Sequence, residues 1–342
     1  MNSQFPRKVL ITGGREVGGV GSFAEGLREG FSELGILAEV ISPSQLLSHW
    51  RDLRDSSVLK ILSTTAMFAS PLARRAICMS HGVPCVAHQG WARTLAILAS
   101  YKLANICSGT QLVAVSDYTA VHMHTIFNLK VDAVIRNPLQ SLFLESFEDK
   151  PEERTYITYV GRLHRAKNMH RLMPAFVEIV NETPGLRACI IGDGELRAEL
   201  ERSVKGDARF EFTGSIDSRT VRDRLRRTRL FVSGSPTEPF GISYLEALSQ
   251  GCTVAMPACG GGLEIALEQI GKRVQLLPIS LGRNEVVSVF RRALIPHNAP
   301  CLLSAYDARA VASAYIAVDA SRSSEAGECV LEKLYKDTAR VE

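Results

Sequence analysis

Short apolar runs alternate with amphipathic stretches along most of the chain. Lys8-Val9-Leu10-Ile11-Thr12 is a strand-like run that ends in a glycine-rich turn, and a helical pattern over 22–34 follows until Gly35 stops it. The spacing then predicts strands at 38–41, 59–63, 85–88 and 112–115, with helices over 71–80 and 92–106 between them. A first αβ unit ends near Asn137-Pro138, and the polar stretch 145–154 reads as a linker. The same grammar restarts at 156–161, with a helix over 169–181 and strands at 188–191, 210–212, 230–233 and 253–256. This alternation predicts an α/β protein built on parallel sheets. The expected division is residues 1–144, residues 145–320, and a C-terminal helix within 321–342, centred on 325–336. Two units joined by one linker imply a cleft between them, a common place for a ligand.

Composition narrows the class. With 342 residues, 46% hydrophobic and 22% charged, the chain is long enough for two cores and is neither disordered nor collagen-like. No apolar run approaches the ~20 residues that span a bilayer, and Met1–Pro6 lacks the apolar core of a signal peptide. Eight cysteines without a short-spaced framework point to a reducing compartment, so a cytoplasmic location is expected. A net charge of +4 without a long basic stripe argues against a nucleic-acid partner. One dense basic stretch exists, with Arg222, Arg224, Arg226, Arg227 and Arg229 around a predicted helix. It reads either as a solvated face or as a patch for anionic lipid headgroups.

Candidate chemistry begins with the glycines between Gly13 and Gly21, which let backbone amides approach an anion at a helix start. Residues 19–24 fit G-x-G-x-x-A, and Glu39 stands at about the distance of a ribose contact. The strand ends too early for that fingerprint, and Gly19-Val20 stands where a P-loop needs Lys and Ser/Thr. The dinucleotide reading rests on glycine spacing alone. The strongest signal spans 233–251, a buried strand, a loop and a short helix stopped by Gly251. Glu238 falls at the carboxyl end of the strand, where open αβ sheets bind ligands. The amides of Phe240, Gly241 and Ile242 open the helix, and Glu246, eight residues after Glu238, is expected on a similar face. Its plain alternative is a solvent-facing helix glutamate. Arg162 and Lys167 follow a strand and open a helix, an arrangement suited to a diphosphate. Cys78-x2-His81 and Cys85-x2-His88 mimic zinc spacing, but strand alternation sends Cys85 and His88 to opposite faces, so no metal is expected.

Taken in order, Gly-Gly-Val at 18–20, Gly161-Arg162-x4-Lys167-Asn168, Gly192-Asp193-Gly194, Glu238-x7-Glu246 and Gly260-Gly261-x2-Glu264 resemble the family 4 retaining glycosyltransferases of GT-B fold. The likeness runs from about residue 8 to residue 270. It implies two Rossmann-like domains facing across a cleft, a last helix over 325–336 packing back on the first domain, and transfer of a hexose from a UDP- or GDP-linked donor to a hydroxyl of a glycan or lipid-linked acceptor. Bacterial cell-surface polysaccharide or lipopolysaccharide synthesis is the implied setting. By the resemblance Arg162 and Lys167 hold the diphosphate, Glu246 takes the ribose, and Glu238 with the amides of Phe240, Gly241 and Ile242 takes the donor sugar. Gly18 and Gly19 face the phosphates, and His88 lies near the transferred sugar. Neither metal nor cofactor is implied. The family setting also implies peripheral contact with the inner face of the plasma membrane, through the arginine stretch and first-domain helices such as 92–106. A GT-B epimerase acting on donor alone, and a non-catalytic sugar-nucleotide binder, are the alternatives.

Overall fold

The computed structural model describes residues 5–13, 19–85, 90–269, 273–295, 301 and 303–321. Two compact units emerge. Unit 1 takes the chain up to Ser141 and again from Ser304, and unit 2 takes Leu142–Leu303.

Unit 1 contains β1 (Lys8–Thr12), β2 (Leu37–Ile41), β3 (Val58–Ser63), β4 (Ala76–Ser80), β5 (Thr110–Ala114) and β6 (Ala133–Val134). They form one parallel sheet in the order β2-β1-β3-β4-β5-β6. β3 and β4 are buried at every residue, as central parallel strands covered on both faces must be. β4 corrects the expected helix over 71–80. Ala76-Ile77-Cys78-Met79-Ser80 has no polar side to turn to water, so it pairs between β3 and β5, and a 3-10 segment, Thr64–Leu72, precedes it. Cys85, expected to open a strand, lies in no strand, and residues 86–89 fall outside the described residues.

A second correction concerns the domain division. The helix Ala308–Ala320 was expected in the second domain but belongs to unit 1, where it packs on the helix Gly19–Glu33. Contact is so close that any Cβ at Gly30 would collide with the carbonyl of Ala308. Arg75 then clasps the helix end, donating from Nε and Nη2 to Asp319 Oδ2 at 2.8 and 2.6 Å, with Asp319 buried. Gln111 adds a hydrogen bond to the carbonyl of Val318. Beyond Ser321 the expected terminal helix lies outside the described residues.

Unit 2 contains β7 (Tyr156–Val160), β8 (Arg187–Ile191), β9 (Phe210–Gly214), β10 (Thr228–Val232), β11 (Thr253–Pro257) and β12 (Val274–Leu277). Their parallel order is β12-β11-β10-β7-β8-β9. β7 therefore stands between β8 and β10, and the sheet reverses its winding between β7 and β10. The helices Met169–Glu182 and Arg283–Ala293 pack together, with Phe176 edge-on to Phe290 at 5.7 Å.

The expected linker is bound to this unit. Buried Arg154 donates to Asp149 and to the carbonyls of Leu225, Thr228 and Gln250. Gln250 Nε2 reaches the carbonyl of Phe143 at 2.8 Å. Arg222, itself buried, pairs with Glu145 at 2.5 Å, and the Arg226 guanidinium stands 4.8 Å over the Phe147 ring. Most of the arginine stretch around the helix Ser218–Arg226 is thus engaged by neighbouring side chains, while Arg227 stays exposed. Arg224 chelates Glu211 at 2.7 and 2.9 Å, and Arg227 covers the Tyr156 ring. A lipid patch there would have to give up these contacts.

Removing one partner of a buried pair leaves the other charge unpaired, at a cost of about 3 kcal/mol. Arg75→Met is therefore expected to loosen the Ala308–Ala320 helix by that order. Faster amide exchange across that helix, with protection of unit 2 unchanged, checks it, whereas unchanged exchange contradicts the clasp.

Candidate functional site

In open parallel sheets the loops after two strands part where the winding reverses, and a ligand crevice opens at their carboxyl ends. In unit 2 those two loops are 161–167 after β7 and 233–241 after β10. They carry Arg162, Lys167 and Glu238. Lys167 Nζ lies 2.6 Å from Glu238 Oε2 and 3.5 Å from Ser235 Oγ, with both ion-pair partners part-buried. Asn168, which opens the helix Met169–Glu182, donates from Nδ2 to the carbonyl of Gly234 at 3.0 Å. Side chains from one loop thus tie the other down.

A third loop is laid against them. The amide of Gly261 donates to the carbonyl of Glu238 at 2.8 Å. Gly260 has φ +71°, and a Cβ there would stand 2.6 Å from the Glu238 carbonyl oxygen, so only glycine fits both the turn and the approach. Tyr244 braces the loop from beneath, donating to Ser233 Oγ at 2.9 Å. Burial and the Glu238 charge hold its hydroxyl well above the ordinary phenol range. Arg162 is exposed, and its guanidinium makes no hydrogen bond or ion pair among the described residues. Its carbonyl accepts from Tyr159 Oη at 2.9 Å, which fixes the backbone and leaves the side chain available.

Phe240 is buried, Gly241 takes φ +98°, and Ile242 opens the helix Ile242–Ser249. Glu238 sits in the loop before that helix, so Glu238 and Glu246 do not share a helix face as the spacing suggested. Glu246 is 7% exposed, which rules out a solvent-facing glutamate. Its carboxyl has no hydrogen-bond partner among the described residues, and burial pushes it up to about 7.

In unit 1 Gly19 begins its helix, and a Cβ there would touch nothing. Gly18 and His88 lie outside the described residues. The structure instead brings forward His81, directly after β4 at the carboxyl edge of the sheet. Its ring stands edge-on to Phe23 with centroids 4.5 Å apart, and Nε2 is enclosed without a partner among the described residues. Burial pulls its imidazole down to about 4, so it is neutral near pH 7. A strand over 76–80, read from its unbroken apolar run, would have pointed to His81. Cys78, three residues earlier, lies in the core beside Ser70 Oγ at 3.5 Å. Among the described residues Glu39, His49 and Asp52 could converge on a metal ion, but the Lys8 ammonium bonds both carboxylates, at 2.7 and 2.8 Å.

Residues 143–271 match the glycosyl transferases group 1 family. Arg162, Lys167, Glu238 and Glu246 all lie within the group 1 stretch. The sulfoquinovosyl transferase of Arabidopsis thaliana is 29% identical over 168 residues, 48% of this chain and 32% of that protein. The phosphatidylinositol N-acetylglucosaminyltransferase gpi3 subunit of Schizosaccharomyces pombe is 29% identical over 150 residues, 42% and 32% of the two chains. The chain thus spans about a third of the length of these relatives. A solved structure of Anabaena HepE with UDP and glucose superposes with a TM-score of 0.64 at 17% identity, covering 92% of this chain and 95% of that one. At that identity the likeness is one of fold, and the fold is GT-B.

Glu246 gives the group 1 stretch a pH signature. A folded-state pKa near 7 against an ordinary 4.5 means stability is held below about 4.5 and lost as pH rises through 7, by about 3 kcal/mol in all. Glu246→Gln is expected to be more stable than the parent at pH 8 and equal to it near pH 4.5. Urea unfolding at the two pH values checks this, and a difference that ignores pH contradicts it.

Proposed function

We propose that the chain is a retaining glycosyltransferase that moves a hexose from a UDP- or GDP-linked sugar to a hydroxyl of a glycan or lipid-linked acceptor. The observation that carries this is the Lys167–Glu238 pair beside an uncommitted Arg162, at the switch point of a group 1 stretch. The phosphatidylinositol-linked acceptor in the name of the yeast relative supports an acceptor of the lipid-linked kind. Synthesis of bacterial cell-surface polysaccharide or lipopolysaccharide is the setting we favour, on the cytoplasmic side and with peripheral contact to the membrane. Among the described residues no helix is long and apolar enough to cross a membrane.

The mechanism follows from the charges. Glu238 neutralises Lys167 across the two loops. An arriving diphosphate competes for that ammonium, and Arg162 adds a fork that matches phosphate oxygens. Glu238 is then free to accept hydroxyls of the donor sugar, with the helix-opening amides of Phe240, Gly241 and Ile242 beside it. Glu246 accepts the ribose hydroxyls once ionised, so nucleotide binding releases its proton near neutral pH. As the glycosidic bond breaks, negative charge grows on the leaving diphosphate, where Lys167 and Arg162 stabilise it. The leaving phosphate assists attack of the acceptor hydroxyl on the same face, which retains the anomeric configuration. Gly18, Gly19 and His88 keep the roles the resemblance implies.

Release of nucleoside diphosphate from a panel of UDP- and GDP-sugars, with lipid-linked oligosaccharide as acceptor, tests the proposal. Conversion of donor without acceptor would mark an epimerase instead, and no use of any donor a binding protein. Lys167→Ala is expected to lower turnover at least a hundredfold, since a lost charged contact to the leaving group is worth about 3 kcal/mol. Near-normal turnover in the folded variant removes Lys167 from the chemistry. Because the two cations supply the charge a divalent ion would bring, turnover is expected to persist in excess EDTA, and its loss with recovery on adding a metal would reverse that point.

A further inference from the structure

The two cations of the unit 2 crevice are held in different ways. Lys167 is tied by its own ammonium to Glu238, a bond that an anion must open. The Arg162 guanidinium makes no hydrogen bond or ion pair among the described residues, so its starting point is set by the backbone beneath it. Three bonds to the stretch 161–163 run between main-chain groups. The Gly161 amide donates to the carbonyl of Ile191 at 3.0 Å, the Leu163 amide to that of Asp193 at 2.8 Å, and the Leu196 amide to that of Leu163 at 3.0 Å. The fourth comes from the Tyr159 hydroxyl, which donates to the Arg162 carbonyl at 2.9 Å. Among the described residues Tyr159 is the one side chain hydrogen-bonded to this stretch.

Tyr159 lies on β7 with its ring buried, and the loop folds back over the ring tip. A Cβ at Gly161 would stand 2.9 Å from the hydroxyl oxygen, so glycine lets the loop rest directly on it. Burial, and then the Glu238 charge, hold the hydroxyl well above the ordinary phenol range, so it keeps its proton for the Arg162 carbonyl. We infer that Tyr159 is a positioning residue for the donor's diphosphate, acting through Arg162 by holding the peptide from which the free guanidinium reaches out. A cation on a pinned backbone loses less freedom when it binds than one on a floating loop, and the difference appears as affinity. Tyr244, under the second loop, bonds Ser233 Oγ, so each tyrosine supports one loop. The diphosphate rests on the transferase reading, while the support itself rests on the loop geometry.

Tyr159→Phe removes the hydroxyl and keeps the ring. Amide exchange across 161–167 is expected to quicken in that variant and to match the parent across 233–241, with the reverse in Tyr244→Phe. UDP and GDP are then titrated into the parent, and the tighter of the two becomes the probe. Tyr159→Phe should weaken it about tenfold and Arg162→Ala by at least as much. The double variant should bind no worse than Arg162→Ala alone, because the hydroxyl then has no guanidinium left to place. Equal losses from Tyr159→Phe with and without Arg162 would make the tyrosine a general support of the fold and overturn the inference. So would unchanged exchange over 161–167, or unchanged affinity in Tyr159→Phe. A parent that binds neither nucleotide fails the transferase reading and takes the diphosphate with it, whereas the exchange experiment still decides whether Tyr159 holds the loop.

Discussion

One ion pair organises the C-terminal unit. Lys167 and Glu238 belong to loops that the sheet order drives apart, because the winding reverses between β7 and β10. Without a bridge, a crevice would open there with a lone charge on each wall. The pair closes it, and other contacts build outward from its carboxylate. The Glu238 carbonyl receives the Gly261 amide, which fixes the loop after β11. Tyr244 under that loop fixes the start of the helix Ile242–Ser249, and that helix carries Glu246 into its buried position. At its far end Gln250 holds the carbonyl of Phe143 and the guanidinium of Arg226. The helix Ile242–Ser249 therefore runs from the crevice to the segment where the chain enters the unit.

The fold was legible wherever short-range pattern and burial agree. β1, β2, β3, β5 and most strands of unit 2 fall where alternation put them, because a β-branched run between glycine or polar breaks has few other homes. β4 was misread because an apolar run of five fits the inside of a helix as well as a covered strand, and Pro71 close before it looked like a helix start. That error displaced the strand and left His81, directly after it, unread. The place of Ala308–Ala320 was hidden for another reason. Its anchor is the partnership of Arg75 with Asp319, 244 residues apart, and spacing says nothing about such pairs.

Within the site, residue identity was easier to read than residue environment. Lys167, Arg162 and Glu238 occupy the loops their motifs suggested. Glu246, however, owes its chemistry to burial that a glutamate at a helix position does not announce. The arginine stretch teaches the converse. Charge density in sequence looked like a surface property, yet Arg222 and Arg224 end in ion pairs and Arg226 and Arg227 on aromatic rings. Polar residues around 145–154 looked like a free linker for the same reason, since Glu145 and Asp149 find Arg222 and Arg273 far away in sequence. Counting charges predicts a field only when they are not already paired.

Under the proposed function, charge accounting also explains how a site with two glutamates would receive an anion. Glu238 is cancelled by Lys167 at 2.6 Å, and Glu246, held up to about 7, is about half protonated near neutrality. Arg162 is exposed and makes no hydrogen bond or ion pair among the described residues, which leaves it available to an anion. An anion that takes Lys167 from Glu238 frees a carboxylate beside itself. That carboxylate would repel the anion unless hydroxyl donors arrived with it. A bare phosphate therefore meets a site that turns against it, while a diphosphate carrying sugar hydroxyls supplies the donors that the freed Glu238 needs. Discrimination in favour of the whole donor then follows from the ion pair itself, because opening it is favourable only for a ligand that satisfies both of its halves.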